Sequence, residues 1–334
     1  MRPVLVPSAR RLWRDDATLQ LGAPSSRAQL VEGLTPERRT LLPLLDGTRT
    51  RDQVVAEATA AGCTDADAVL EVLEDGGWVL DADDLSPAGL DRAERDRLAP
   101  DLASLALVRG RRAASALLAR RSARVVVHGA GRVGGPLAAL LAASGVGTVD
   151  VLDTATTHAA DTAVGGLQAD DLGRPRGESM AGRLRSVGST RAPALVVLTD
   201  DDGPATAAHL RRAGTPHLLA VVAETQGLVG PLVLPGSSAC VRCLELVRCA
   251  VDPGWPQLAT QGTGVPRSAQ ACDGVLAAAV AAQAALQVLQ LLEGDTPAAV
   301  GGTLELDLPG WRWRRRSWPQ HPDCDCAWAH SLAA

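Results

Sequence analysis

Hydrophobic and polar positions change their period along the chain. Over the first 85 residues, Ala17 to Leu21 alternates as a strand. Helical spacing follows over Thr35 to Leu45, Thr50 to Ala61 and Asp65 to Asp75. Each helix opens on a side chain that can bond its free N–H groups: Thr35 before Pro36, Thr50 before Asp52, and Thr64 or Asp65. Gly47 and Gly62 stand where helices end. After Gly76-Gly77, Trp78-Val79-Leu80 returns as a short strand. Short strands around compact helices predict a small winged-helix-like domain over 1–85.

Residues 86–121 are charged, then rich in Ala and Leu, and predict a helical connector. A different pattern runs over 122–334. Ala123-Arg-Val-Val-Val-His128 is a buried-strand run, followed by the glycines at 129, 131, 134 and 135 and by a helix over Pro136 to Ser144. Gly147 to Leu152 predicts a second strand ending at Asp153, and Leu195 to Leu198 and Leu218 to Val222 two more, with a helix over Ala205 to Ala213. Strands alternating with helices predict an α/β domain with a doubly wound, mostly parallel, Rossmann-like sheet. Val275 to Leu292 is the most apolar stretch, with Gln283, Gln287 and Gln290 on one face. It predicts a helix buried against the sheet, short for a membrane span, and no membrane partner is expected.

Composition narrows the chemistry. The chain has no Lys, Asn, Ile, Phe or Tyr, so all 33 basic residues are Arg. No Schiff-base or Walker-type lysine exists. A net charge of −5 with Trp as the sole aromatic argues against a nucleic-acid partner. The acids Asp52, Glu57, Asp65, Asp67, Glu71, Glu74 and Asp75 on the second and third helices argue likewise. Arg312, Arg314, Arg315 and Arg316, interleaved with Trp311 and Trp313, read as a solvated or interdomain basic segment. The N-terminus lacks an apolar signal core, so a cytoplasmic protein is expected, its seven cysteines serving as thiols or metal ligands.

The glycine run has a mechanical reading. Gly129 permits a tight turn, Gly131 lets backbone approach a phosphate, and Gly134 lets helix and strand pack closely. Asp153 at the next strand end can accept from a ribose. An NAD-dependent oxidoreductase would present the same loop and acid, but it gives the cysteines no role. Cys240-x-x-Cys243 and Cys324-x-Cys326 are two close pairs that can converge on a tetrahedral zinc with a structural role, the alternative being free thiols or a redox pair. Cys249 and His321 are further ligand candidates, and Cys63 and Cys272 read as small core residues.

From Val125 to Cys326 the chain resembles the ThiF/MoeB branch of the ubiquitin-activating superfamily. The resemblance rests on Gly129-x-Gly131-x-x-Gly134, Gly145 to Asp153, Asp171-Leu-Gly173-x-Pro-Arg176, Leu198-Thr-Asp200, Gly230 to Cys243 and His321-Pro-Asp-Cys324-x-Cys326. The last two segments are similar, more narrowly, to actinobacterial members associated with peptide natural-product cyclodehydratases. Leu45 to Val54 resembles a PqqD-like leader-peptide recognition domain. The resemblance implies an adenylyltransferase: ATP-dependent activation of the carboxylate of a precursor peptide or ubiquitin-like protein. Asp153 would hold the ribose, Arg176 would stand at the family's phosphate-binding lysine, and Asp200 would hold magnesium. It is also compatible with a homodimer. One departure is plain: Thr154 to Asp171, where the family has an arginine finger, contains no Arg. The alternative is therefore a catalytically silent leader-peptide-binding partner of a separate cyclodehydratase.

Overall fold

The computed structural model describes residues 1–23, 28–184, 190–200, 203–261 and 271–326. The chain forms two compact units, Met1–Ala119 and Arg120–Ala334. The first contains β1 (Pro3–Leu5), β2 (Arg11–Trp13), β3 (Leu19–Leu21), β4 (Gln29–Val31), α1 (Pro36–Arg39), α2 (Arg51–Ala60), α3 (Ala66–Asp75), β5 (Val79–Asp81), α4 (Arg92–Arg109) and the start of α5 (Ala113–Ser122).

The expected caps form at two of these helices. Thr35 Oγ1 accepts from Arg38 N–H, and Thr50 closes a reciprocal box with Gln53. The first helix is shorter than expected: α1 stops at Arg39 and Leu42–Leu44 forms a tighter 3-10 turn, because Pro43 cannot continue an α-helix. β1, β2 and β4 were not foreseen, since three-residue strands are too short to show a period. β2, β3 and β4 make an antiparallel sheet in that order. β5 pairs instead with β1, Leu5 opposite Val79. Leu19, Leu21, Val31, Leu41, Leu70, Leu73 and Trp78 fill the core between sheet and helices. Residues expected as a mere connector build a second core, in which Leu98, Leu105 and Leu117 pack with Val6 and Leu80.

The second unit holds β6 (Arg124–His128), α6 (Gly134–Ala143), β7 (Thr148–Leu152), α7 (Arg176–Leu184), β8 (Leu195–Leu198), α8 (Gly203–Arg212), β9 (His217–Ala223), β10 (Gln226–Val233), α9 (Val241–Val251), α10 (Trp255–Gln261), α11 (Gly274–Leu292), β11 (Gly302–Asp307) and β12 (Trp313–Ser317). One sheet runs β12-β11-β10-β9-β8-β6-β7. Its β7-β6-β8-β9 half is parallel and carries the glycine turn, so the Rossmann-like α/β architecture expected from the pattern is present. β10 to β12 continue it antiparallel.

The basic segment is thus a strand: β12 is outermost, every residue exposed. Arg314 and Arg316 pair with Asp307 and Glu305 on β11 and its loop end, and Arg315 donates to the Ala298 and Val300 carbonyls. Charge on an edge strand discourages further pairing. Helix α11 lies against β9, β10 and α6, as its pattern predicted. Its 19 residues do meet the length and hydropathy of a membrane span, although half of that window is already buried in the unit. Gln287 is 2% exposed there and accepts from Ala299 N–H.

Candidate functional site

The C-terminal ends of β6, β7 and β8 meet at one edge of the parallel half, where the chain order of the strands reverses. Gly129 leaves β6 at φ +92°, a conformation that favours glycine. A Cβ on Gly134 would lie 1.9 Å from the Gly129 carbonyl oxygen, so only glycine lets α6 start this close to the strand. Thr199, after β8, braces the turn by donating from Oγ1 to the His128 carbonyl at 2.8 Å. Above Gly131 the space is free of protein atoms for 4 Å.

Asp153 follows β7. Its Oδ2 accepts from Ala130 N–H of the glycine turn at 2.8 Å and its Oδ1 from Ala155 N–H at 2.9 Å. Each oxygen keeps a lone pair for a further donor. Arg176, the first residue of α7, is 4% exposed. Its Nη2 donates to Asp161 Oδ2 at 2.6 Å, and Nη1 lies 3.7 Å from Asp153 Oδ2. Its Nε and Nη1 are buried without hydrogen-bond partners, as is Thr157 Oγ1 nearby in sequence. Unsatisfied buried donors are costly, and on a cation they are suited to an anion.

A cleft of about 920 Å³ opens beyond the strand ends, lined among others by His128, Asp153, Thr154, Gly177, Glu178 and Asp200. Asp153 and Asp200 therefore face one space. Gly129, Gly131, Gly134 and Arg176 do not line it. Arg176 instead sits beside Asp153, buried against it and Asp161. Among the described residues, three carboxylates and no arginine line this cleft. Sequence reasoning missed Asp161, which holds Arg176 and also accepts from His158 N–H. It missed Glu178 and His128 too. His128 ends β6 directly before the glycine turn, which was the available signal.

The second centre is a cluster of thiols. Ser238 and the turn after β10 lead into Cys240 and Cys243 at the start of α9, and Cys324 and Cys326 approach from the far C-terminal segment. All four are buried, with their sulfurs within 4.8 Å of one another. Cys240–Cys243, Cys240–Cys324 and Cys243–Cys326 stand at 3.8, 3.6 and 3.3 Å. Thiolates at about 2.3 Å from a tetrahedral zinc are roughly 3.8 Å apart, so the donor set fits such an ion in number, softness and spacing. His321 is not in the set. Its Nδ1 accepts from Asp323 N–H, while its own backbone N–H reaches the Cys243 sulfur at 3.3 Å. Cys249 lies outside the set and is half-buried.

A glycine turn into a helix and an acid at the next strand end, on a mostly parallel sheet, define a Rossmann-like α/β fold. Residues 106–210 match the ThiF family, so the chain carries a ThiF family domain. No curated protein sequence matches the chain. Solved structures share its fold over nearly the whole length. E. coli MccB with ATP has a TM-score of 0.73 at 15% identity, covering 98% of this chain and 99% of that one. The microcin C7 biosynthetic enzyme MccB in complex with N-formylated MccA has 0.73 at 15%, covering 98% and 100%. PaaA has 0.61 at 16%, covering 80% and 94%.

Proposed function

We propose that this is a ThiF-type adenylyltransferase acting on a peptide, whose C-terminal unit activates a carboxylate while the N-terminal unit holds the chain that bears it. The Asp153–Arg176–Asp161 cluster carries the reading. Asp153 is fixed by the glycine turn with acceptor capacity left for ribose hydroxyls. Arg176, buried off the cleft between Asp153 and Asp161, would hold Asp153 in place for the nucleotide. Asp200, on the same cleft, would hold the magnesium that three carboxylates and a triphosphate together require. The peptide carboxylate oxygen attacks the α-phosphorus of ATP, the bond to the bridging oxygen breaks, and pyrophosphate leaves. Positioning and charge neutralisation do most of such work. The likeness to structures of MccB with ATP and with MccA supports a peptide substrate in natural-product biosynthesis, ahead of a ubiquitin-like protein.

Exchange of radiolabelled pyrophosphate into ATP, with peptides encoded beside the gene, tests the proposal. Exchange that is lost in Asp200→Asn supports it. A specific observation favours a second reading, the silent peptide-binding partner of a cyclodehydratase: among the described residues no arginine lines the cleft, and none falls between Thr154 and Asp171 in the sequence. Tight peptide binding without exchange selects that reading. Titration with NAD and ATP separates both from an oxidoreductase.

The four thiols belong to the same proposal as a structural zinc site that ties the C-terminal segment to α9. Cys240, Cys243, Cys324 and Cys326 would hold the ion, which would fasten that segment to the domain without a part in the transfer. Thiols kept as ligands suit a reducing, cytoplasmic compartment.

A further inference from the structure

Four thiolates around one divalent zinc leave two surplus negative charges, and the thiols of this centre are buried. A third negative charge stands beside them. Asp325 lies between the ligand candidates Cys324 and Cys326, with its Oδ1 3.8 Å from the Cys324 sulfur. We propose that Arg211, in the last turn of α8, is the positioning residue of this centre: it holds Asp325 and offsets the charge of the thiolates. This rests on the zinc reading given above and adds a residue outside the two cysteine pairs on which metal affinity depends.

Geometry supports it first. Arg211 Nη2 lies 2.9 Å from Asp325 Oδ2, so one carboxylate oxygen is held by the cation while the other stands by the sulfur. The arginine side chain is 15% exposed against 64% for Asp325, so solvent screens its charge only weakly. Helix α8 packs against α9, which opens on Cys240 and Cys243. Arg211 therefore reaches from a helix that carries no ligand to the turn that carries two.

Electrostatics supports it second. Burial opposes the charge of Arg211, yet Asp325 and the Cys240 and Cys324 sulfurs, one from each pair, hold its pKa above the ordinary arginine value. Arg242 also acts on Asp325, but it is exposed and water weakens its pull. On the far pair of sulfurs, the His321 N–H reaches Cys243 at 3.3 Å. Partners just outside a metal's ligands commonly govern its affinity by about tenfold to a hundredfold.

Charge and mere packing predict opposite behaviour in a double variant. Without Arg211, Asp325 is an uncompensated negative charge beside the thiolates, and its removal should then help zinc to bind. The test is the zinc affinity of the full chain, measured by competition with a chromophoric chelator. Arg211→Met should weaken binding by about tenfold or more. Arg211→Lys, which keeps the charge, should weaken it less. Asp325→Asn alone should change little, because it removes a tether and a repulsion together. In the Arg211→Met protein the same substitution should recover most of the loss. Circular dichroism of each zinc-loaded variant checks folding, and Arg211→Gln takes the place of Arg211→Met should that variant not fold. Equal zinc affinity of Arg211→Met and the unaltered chain would overturn the role of Arg211. A double variant that binds no tighter than Arg211→Met would overturn it too, leaving the arginine a packing residue. An unaltered chain that takes up no zinc would overturn the zinc reading and this proposal with it.

Discussion

The C-terminal unit builds two polar centres by opposite means. The thiol cluster is closed: four like side chains, all buried, already spaced for a tetrahedral ion. The strand-end site is open: a cleft of about 920 Å³ where, among the described residues, acids outnumber bases, beside a buried arginine with two unsatisfied donors. A structural ion needs its ligands arranged once and shielded thereafter. A substrate site must admit and release its ligand, so it keeps unfilled bonding capacity and leaves charge for the ligand to balance. On the proposed reading, that contrast separates a centre that would stabilise the fold from one that would do chemistry, although both lie in one domain.

Metal removal should have the largest effect. Stripping the ion with a strong chelator, or Cys324→Ser, should release about one zinc per chain by elemental analysis. It should lower stability by more than about 4 kcal/mol in urea unfolding. Unchanged unfolding after complete metal loss would erase the contrast with the cleft.

Arg176→Met comes next. It leaves Asp153 and Asp161 buried beside each other without their cation, and removing one partner of a buried pair typically costs about 3–5 kcal/mol. If nucleotide binding disappears while stability is untouched, Arg176 serves only the ligand.

Asp153→Asn should cost less stability, roughly 1–3 kcal/mol, because an amide can still accept one of the two backbone N–H groups. ATP affinity by calorimetry should nevertheless fall by at least about tenfold, one charge-assisted hydrogen bond. Equal ATP binding by the variant would move the ribose elsewhere.

The smallest effect is a dependence on pH away from both centres. His217 on β9 is fully buried, its Nδ1 bonded to the Thr215 carbonyl, and burial holds its pKa below the ordinary histidine value. The folded state therefore binds fewer protons than the unfolded state. Its stability is complete above the unfolded pKa of about 6.5 and is lost as pH falls below it, with a slope approaching roughly 1.4 kcal/mol per unit. Urea midpoints between pH 7 and 5 should show this limb, and His217→Gln should flatten it.

Much of this was legible in residue order. A buried apolar run, glycines at fixed spacing, a helix and an acid describe the turn at Gly129 and Asp153 because each step is local: one dihedral, one close approach, one strand end. Paired cysteines likewise announced the thiol cluster, although their convergence required folding across 84 positions between Cys240 and Cys324. Helix starts at Thr35 and Thr50 were readable because caps act within a few residues.

Other features were decided only by tertiary contacts. β1, β2 and β4 are stable as strands because neighbours pair with them, and three residues carry no period of their own. The basic run at Arg314 to Arg316 became an edge strand because β11 offered it a partner and two acids. Arg176 carries a sequence signal for phosphate, yet its environment is set by Asp161, fifteen residues earlier and foreshadowed by no motif. Local chemistry specifies turns, caps and ligand types at short range. Which donors end up satisfied, and which are left for a ligand, depends on what the packed chain brings beside them.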